Sequence, residues 1–288
     1  MQQRIAFIGG GNMASAIIGG LLKQGFHPSQ IDVVEPFEQA RAKLRSEFGV
    51  VAHEQACAFL TSADLVVWAI KPQTFKDAAV QTQAHMPAAL HLSVAAGIRS
   101  DTISGWLGSQ RVVRAMPNTP ALIGKGITAL FARAAVSDAD KALVNQVLAT
   151  TGDVIWVDDE AQIDAVTALS GSGPAYMFYF MEAMREAGVG MGLDPGKAYQ
   201  LAVATFIGAG ELARASPESP EVLRQRVTSK GGTTYAALTA MEGSGIKPAF
   251  IAAMQAAQAR AQEMGKEFGA TEDLAAQARP AVQKPELP

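Results

Sequence analysis

A doubly wound α/β domain with a mostly parallel sheet, followed by an all-helical domain, is what this sequence predicts, on three observations. From residue 4 to about 157, short apolar runs alternate with amphipathic segments of helical length. The apolar runs lack a period-2 polarity, as strands do when helices cover both faces of a parallel sheet. After residue 160 the apolar spacing turns helical and no convincing strand follows. The predicted boundaries are 1–160 for the α/β domain, 161–275 for the helical domain and 276–288 for a tail. That tail is expected to be disordered, because "AAQARPAVQKPELP" carries three prolines and no apolar period.

Taken in order, the predicted strands are "RIAFIG" (4–9), "IDVVE" (31–35), "ADLVVWAI" (63–70), "LHLSVAA" (90–96), "RVVRAM" (111–116), "GITALFA" (126–132) and "DVIWV" (153–157). Segments such as "NMASAIIGGLLKQG" and "PFEQARAKLRSEFG" supply the intervening helices. Beyond 160, Gly and Pro break the pattern near 171–174, 190–196, 216–220 and 243–248, which predicts about five helices. These helices carry more apolar positions than one small bundle buries, so an interface between subunits is expected.

Composition excludes several classes. A net charge of −3, with no basic run, argues against binding nucleic acid through its phosphates. No stretch of about 18 apolar residues is present to span a bilayer. The amino terminus "MQQRIAFIGGG" does not read as a secretory signal, so a cytoplasmic protein is expected. Cys57 is the single cysteine, which rules out an internal disulfide and is expected to be a small, buried or half-buried apolar residue. His27, His53, His85 and His91 have no ligand spacing, so no metal is expected.

The strongest local signal is "IAFIGGGNMASAIIGGLL". Gly9-x-Gly11-x-x-Ala14 follows a predicted strand and opens a predicted helix, the context of a Rossmann dinucleotide fingerprint. Gly9 permits the tight turn, Gly11 lets backbone approach a pyrophosphate, and Ala14 replaces the third glycine. Gly9, Gly10, Gly11, Asn12, Met13 and Ala14 are thus the candidate cofactor cradle, with helix-start amides aimed at the anion. Glu35, ending the second run, is the candidate acid for a ribose 2′-hydroxyl. A carboxylate there would repel a 2′-phosphate by about 1 kcal/mol at 4 Å in water and about 4 kcal/mol at an effective dielectric of 20. This tilts the choice of cofactor towards NADH over NADPH, unless Pro36 turns Glu35 away or Arg41 reaches back; Glu35 as an ordinary surface acid is the alternative.

Other strand ends converge on the same crevice. "WAIKPQ" contributes Ala69, Ile70, Lys71 and Pro72, beside the first strand at the switch point of a doubly wound sheet. "RAMPNTPALIGKG" contributes Met116, Pro117 and Asn118, in a turn stiffened by two prolines where a nicotinamide should lie. A solvated lysine and a well-made loop are the corresponding bland readings. In the helical half, "TSKGGTT" (228–234) resembles half of a phosphate loop, yet Lys230 precedes Gly231 and Gly232 and a helix comes before it, so it is no triphosphate site. At the junction, Gly171-Ser172-Gly173 is followed by Pro174, Ala175, Tyr176 and Met177, with no lysine until Lys197. A 3-hydroxyacid dehydrogenase of this architecture would place its catalytic lysine there, and its absence opposes that reading.

"GGGNMA", "AIKP", "RAMPNTPALIGKGITAL", "LSGSGPAYMFYFMEAM" and "VTSKGGTT" occur in this order at suitable separations. Together they resemble pyrroline-5-carboxylate reductase, the last enzyme of proline biosynthesis, over about residues 4–268. The resemblance implies NADPH or NADH as cofactor and the cyclic imine 1-pyrroline-5-carboxylate as substrate. It makes "TSKGGTT" a carboxylate cradle of Ser229, Gly231, Gly232, Thr233 and Thr234, in which the Thr234 hydroxyl reaches the ring nitrogen. It also implies a homodimer through the helical domain and higher assembly, often a decamer of five dimers. Two departures stand out: Glu54-Gln55-Ala56 replaces an asparagine that contacts the cofactor ribose, leaving that contact to Gln55 or lost. "EPF" replaces the Asn/Ser-Arg that follows the second strand in NADPH-preferring members. A cofactor-binding regulatory protein without turnover is the remaining alternative.

Overall fold

The computed structural model describes residues 3–86 and 88–277. Among the described residues two compact units result: one comprises those up to 171 together with 257–277, the other 172–256. In the first, β1 (Ile5–Ile8), β2 (Ile31–Val34), β3 (Val51–His53), β4 (Leu65–Trp68), β5 (Leu90–Ser93), β6 (Val112–Met116), β7 (Gly126–Ala132) and β8 (Gly152–Trp156) form one sheet. Its order is β3-β2-β1-β4-β5-β6-β7-β8. Strands β1 to β6 pair in parallel, β7 runs antiparallel to β6, and β8 is parallel to β7.

All seven predicted runs form strands. Strand β3 was not predicted, for a physical reason: it is three residues long, at the sheet edge, with Val51 52% exposed and only Ala52 buried. Alternate residues of the buried strands feed two cores. Ile5, Phe7, Val33, Leu65, Val67, Leu92 and Val113 face α1 (Asn12–Lys23), α2 (Glu38–Phe48) and α5 (Asp138–Leu148). Ala6, Ile8, Val66, Trp68 and Val112 face α3 (Pro72–Thr82) and α4 (Ser100–Leu107). Each fully buried side chain of this kind contributes about 1.5–3 kcal/mol, which is why the runs show no polar alternation.

The sequence also supplies the stops and starts. Gly49 ends α2 in the left-handed region (φ 67°), and Ser137 and Asp140 form a capping box that opens α5. Cys57 corrects an expectation: it is exposed, because it precedes a 3-10 turn (Ala58–Ser62) after the edge strand and does not belong to the core. Among the described residues no helix is long and apolar enough to cross a membrane, and no group of three or more His, Cys, Asp or Glu could hold a metal ion.

After β8 come α6 (Gln162–Val166) and a π-helical segment, Thr167–Gly171. The second unit holds α7 (Gly173–Gly190), α8 (Pro195–Ala215), α9 (Pro220–Arg226), α10 (Thr233–Gly243) and the start of α11 (Ile246–Gln277), whose remainder belongs to the first unit. Within it, α7 and α8 pack closely enough that a Cβ on Gly188 would stand 2.9 Å from the Ala198 Cβ. Residues 278–288 of the expected tail lie outside the described residues.

Candidate functional site

The glycine turn stands at the carboxyl end of β1, between β2 and β4. Gly9 has φ +95°, and its N–H donates to the Val34 carbonyl at 2.8 Å. A Cβ there would lie 2.6 Å from the Ala69 carbonyl oxygen and 2.6 Å from Ile70 Cγ2, so the turn and the end of β4 touch backbone to backbone. Gly11 caps α1 with no side-chain hydrogen bond, and nothing lies within 4 Å of where its Cβ would be. The space that glycine leaves is open, in front of helix-start amides with no partner inside the helix. This is the fit a dinucleotide pyrophosphate requires. Ala14 is fully buried under the turn, while Asn12 is exposed.

Glu35 is 7% exposed, which overturns the surface-acid reading. Its Oε2 accepts the Gly10 N–H at 2.8 Å and its Oε1 accepts the Phe37 N–H at 3.0 Å. Pro36 therefore does not turn the carboxylate away; the chain folds it back onto the glycine turn. Arg41 does reach back, but to the carbonyls of Glu35 and Pro36 (2.9 and 2.7 Å) and to Glu38 (2.5 Å), and its guanidinium does not meet the Glu35 carboxylate. Gln55 is exposed after β3.

Lys71 is exposed at the cap of α3, three residues past the end of β4, and Pro72 occupies the first helical position, where a missing N–H costs nothing. At the end of β6, Pro117 is buried and the Asn118 Oδ1 accepts the Ile127 N–H at 3.0 Å. That bond ties the turn after β6 to β7, so the Asn118 side chain holds its own loop. Met116 packs against the π-helical segment: a Cβ on Gly171 would stand 2.4 Å from Met116 Cε.

Sequence reading missed the buried ion cluster that anchors this edge. Arg114 on β6, with a side chain 3% exposed, donates to Glu160 at 3.1 Å and Asp164 at 3.3 Å. Glu160 also accepts the Ser100 N–H at 2.6 Å and hydroxyl at 2.7 Å. The cluster fixes α6, and with it the π-helical segment, to the end of β6. An arginine within the buried run "RVVRAM" was the available signal, since a buried guanidinium demands carboxylate partners. Nearby, Arg99 is raised above the usual arginine range; burial works against this, and the charges of Glu160 and Asp101 outweigh it.

In the second unit, residues 228–234 form a turn leading into α10. Gly231 has φ +76°, a conformation that favours glycine, and the Gly232 N–H donates to the Ser229 carbonyl at 3.0 Å. Gly232 caps α10 with no side-chain hydrogen bond, so the amides of Thr233 and Thr234 begin the helix without an intrahelical partner. Thr228 is engaged elsewhere, its hydroxyl donating to the Arg224 carbonyl at 2.6 Å. The loop has the form of a small anion cradle.

Residues 160–264 match the family model described as pyrroline-5-carboxylate reductase dimerisation, and residues 4–97 match the model described as NADP oxidoreductase coenzyme F420-dependent. The pyrroline-5-carboxylate reductase of Pseudomonas aeruginosa is 44% identical over 268 residues, 92% of this chain and 98% of that relative. This chain belongs to the pyrroline-5-carboxylate reductase family. The Escherichia coli reductase is 36% identical over 92% of this chain and 100% of its own. The solved reductase of Coxiella burnetii superposes with a TM-score of 0.86 at 38% identity, covering 92% of this chain and 99% of that one. A Plasmodium falciparum reductase solved with NADP bound gives 0.82 at 26% identity, covering 92% and 98%. Family members are NAD(P)H-dependent oxidoreductases, and the dimerisation module fits a homo-oligomer. The surface of the second unit agrees: Phe178, Tyr179, Leu201, Ile207 and Leu212 are 56–69% exposed.

Proposed function

We infer that this protein reduces 1-pyrroline-5-carboxylate to L-proline with NADH or NADPH, as the last step of proline biosynthesis. The observation that carries the inference is the P. aeruginosa relative, matched along nearly its whole length. The uncapped glycine turns at Gly11 and Gly232 support it, one suited to a pyrophosphate and one to a carboxylate.

The nicotinamide, when bound, supplies hydride to the imine carbon. Gly9 to Ala14, with Glu35, Gln55, Ala69 to Pro72 and Met116 to Asn118, would bind and orient the cofactor. Ser229 and Gly231 to Thr234 would hold the substrate carboxylate, each hydrogen bond to the charged group contributing roughly 1.5–3 kcal/mol. The Thr234 hydroxyl would stand at the ring nitrogen. A protonated imine is already electrophilic, so positioning and exclusion of water carry the reaction and no strong general acid is needed. This suits a chain without an obvious catalytic dyad.

The helical domain at 161–275 would form the homodimer, with five dimers completing a decamer, in the cytoplasm. The exposed apolar side chains of α7 and α8 support the dimer. Replacing Thr234 tests the site: Thr234→Ala is expected to lower kcat roughly 10- to 100-fold, equivalent to about 1.4–2.8 kcal/mol, while Thr234→Ser retains most of it. Unchanged turnover in Thr234→Ala, or complete loss in Thr234→Ser, would remove the hydroxyl from the mechanism.

A further inference from the structure

We propose that the end of β2 makes this enzyme selective for NADH, with the Glu35 carboxylate as the discriminating group. The proposal rests on the reading of the glycine turn as the dinucleotide site.

Glu35 is locked in place. Two backbone N–H groups, from Gly10 at 2.8 Å and Phe37 at 3.0 Å, hold one oxygen each. A Cβ on Gly10 would come within 3.3 Å of Glu35 Cγ and Oε2, and within 2.6 Å of Leu44 Cδ1, so only a glycine lets the carboxylate close onto the turn. The group lies at the end of the second strand of a sheet ordered 3-2-1-4-5-6, where a dinucleotide places its adenosine ribose. A carboxylate held there accepts hydrogen bonds from a ribose 2′-hydroxyl through its remaining lone pairs, and repels a 2′-phosphate.

The cation that could reverse this is already engaged. Arg41 Nη1 donates to two carbonyls, and Nη2 lies between Glu38 at 2.5 Å and Glu54 at 3.8 Å. Its side chain is 11% exposed. Glu38 and Glu54 thus flank a guanidinium that has spent its terminal donors on protein, and the Glu35 carboxylate, held by backbone N–H groups, is not neutralised by it. A 2′-phosphate arriving here meets an excess of negative charge, and it gains Arg41 only by breaking bonds already made.

The test is calorimetric binding of NADH and NADPH to the full chain, which reads the cofactor site without turnover. NADH is expected to bind at least tenfold more tightly, equivalent to about 1.4 kcal/mol. In Glu35→Gln the ratio should shrink to within about threefold, mainly through tighter NADPH binding. The double variant Glu38→Gln/Glu54→Gln, altered at exposed positions, should also narrow it, and it serves if Glu35→Gln fails to fold. Equal or tighter NADPH binding by the unaltered protein overturns the proposal, as does a ratio that neither variant changes. Absence of pyrroline-5-carboxylate turnover in a protein that still prefers NADH would count against the reductase reading and leave this one standing.

Discussion

Lowering the pH from about 7 to about 5 should destabilise this protein through one buried histidine. His91 on β5 is 1% exposed, its Nδ1 accepts the Trp68 indole N–H at 3.3 Å, and its Nε2 finds no partner among the described residues. Burial first, and the charge of Arg111 second, lower its pKa from 6.5 to about 4. The fold therefore keeps the ring neutral, while the unfolded chain takes up a proton near pH 6.5. Stability is complete above pH 6.5, falls with pH because the unfolded state binds more protons, and stops falling below about pH 4. At about 1.36 kcal/mol per unit, the full loss is about 3 kcal/mol, of which about 2 kcal/mol appears between pH 7 and pH 5. Urea unfolding of the unaltered protein and of His91→Asn, at one protein concentration and both pH values, isolates the effect. Asn offers an acceptor near Nδ1 without titrating, and carboxylate contributions cancel between the two. A variant that loses as much stability as the unaltered protein over this interval would refute the reasoning.

Other outcomes follow from the geometry. Glu160→Ala should cost about 3 kcal/mol by urea unfolding, since it strips a carboxylate from the buried Arg114 and leaves the Ser100 N–H without its acceptor; Glu160→Gln, which keeps an acceptor, should cost less. Gly9→Ala should weaken cofactor binding more than tenfold by calorimetry, because a side chain at φ +95° is strained and would collide with the Ala69 carbonyl; binding unchanged from the unaltered protein would mean that the turn is not the cradle.

How much of this was legible in the sequence depended on whether the signal was local. The strands of the sheet interior announced themselves because every residue of "IAFI" and "LVVW" is buried, leaving uninterrupted apolar runs. Strand β3 did not, since an edge strand of three residues carries no pattern. The glycine turn was legible as a tight turn at Gly9, because such a turn constrains the residue itself, and its φ of +95° is the structure's addition. Which way Glu35 points was not, as it depends on an N–H 25 residues away. The same holds for Arg114 and Glu160, partners separated by 46 residues. Cys57 was misplaced because cysteine's general preference for the core says nothing about a loop after an edge strand.

The most direct measurement of the central claim is the fate of the hydride. Purified protein would be given pyrroline-5-carboxylate and cofactor deuterated at nicotinamide C4, on one face and then on the other, and the proline formed would be weighed by mass spectrometry. The account predicts proline carrying one deuteron at the former imine carbon with one of the two labelled cofactors and none with the other. Unlabelled proline from both, or no proline from a folded protein that binds its cofactor, would contradict it.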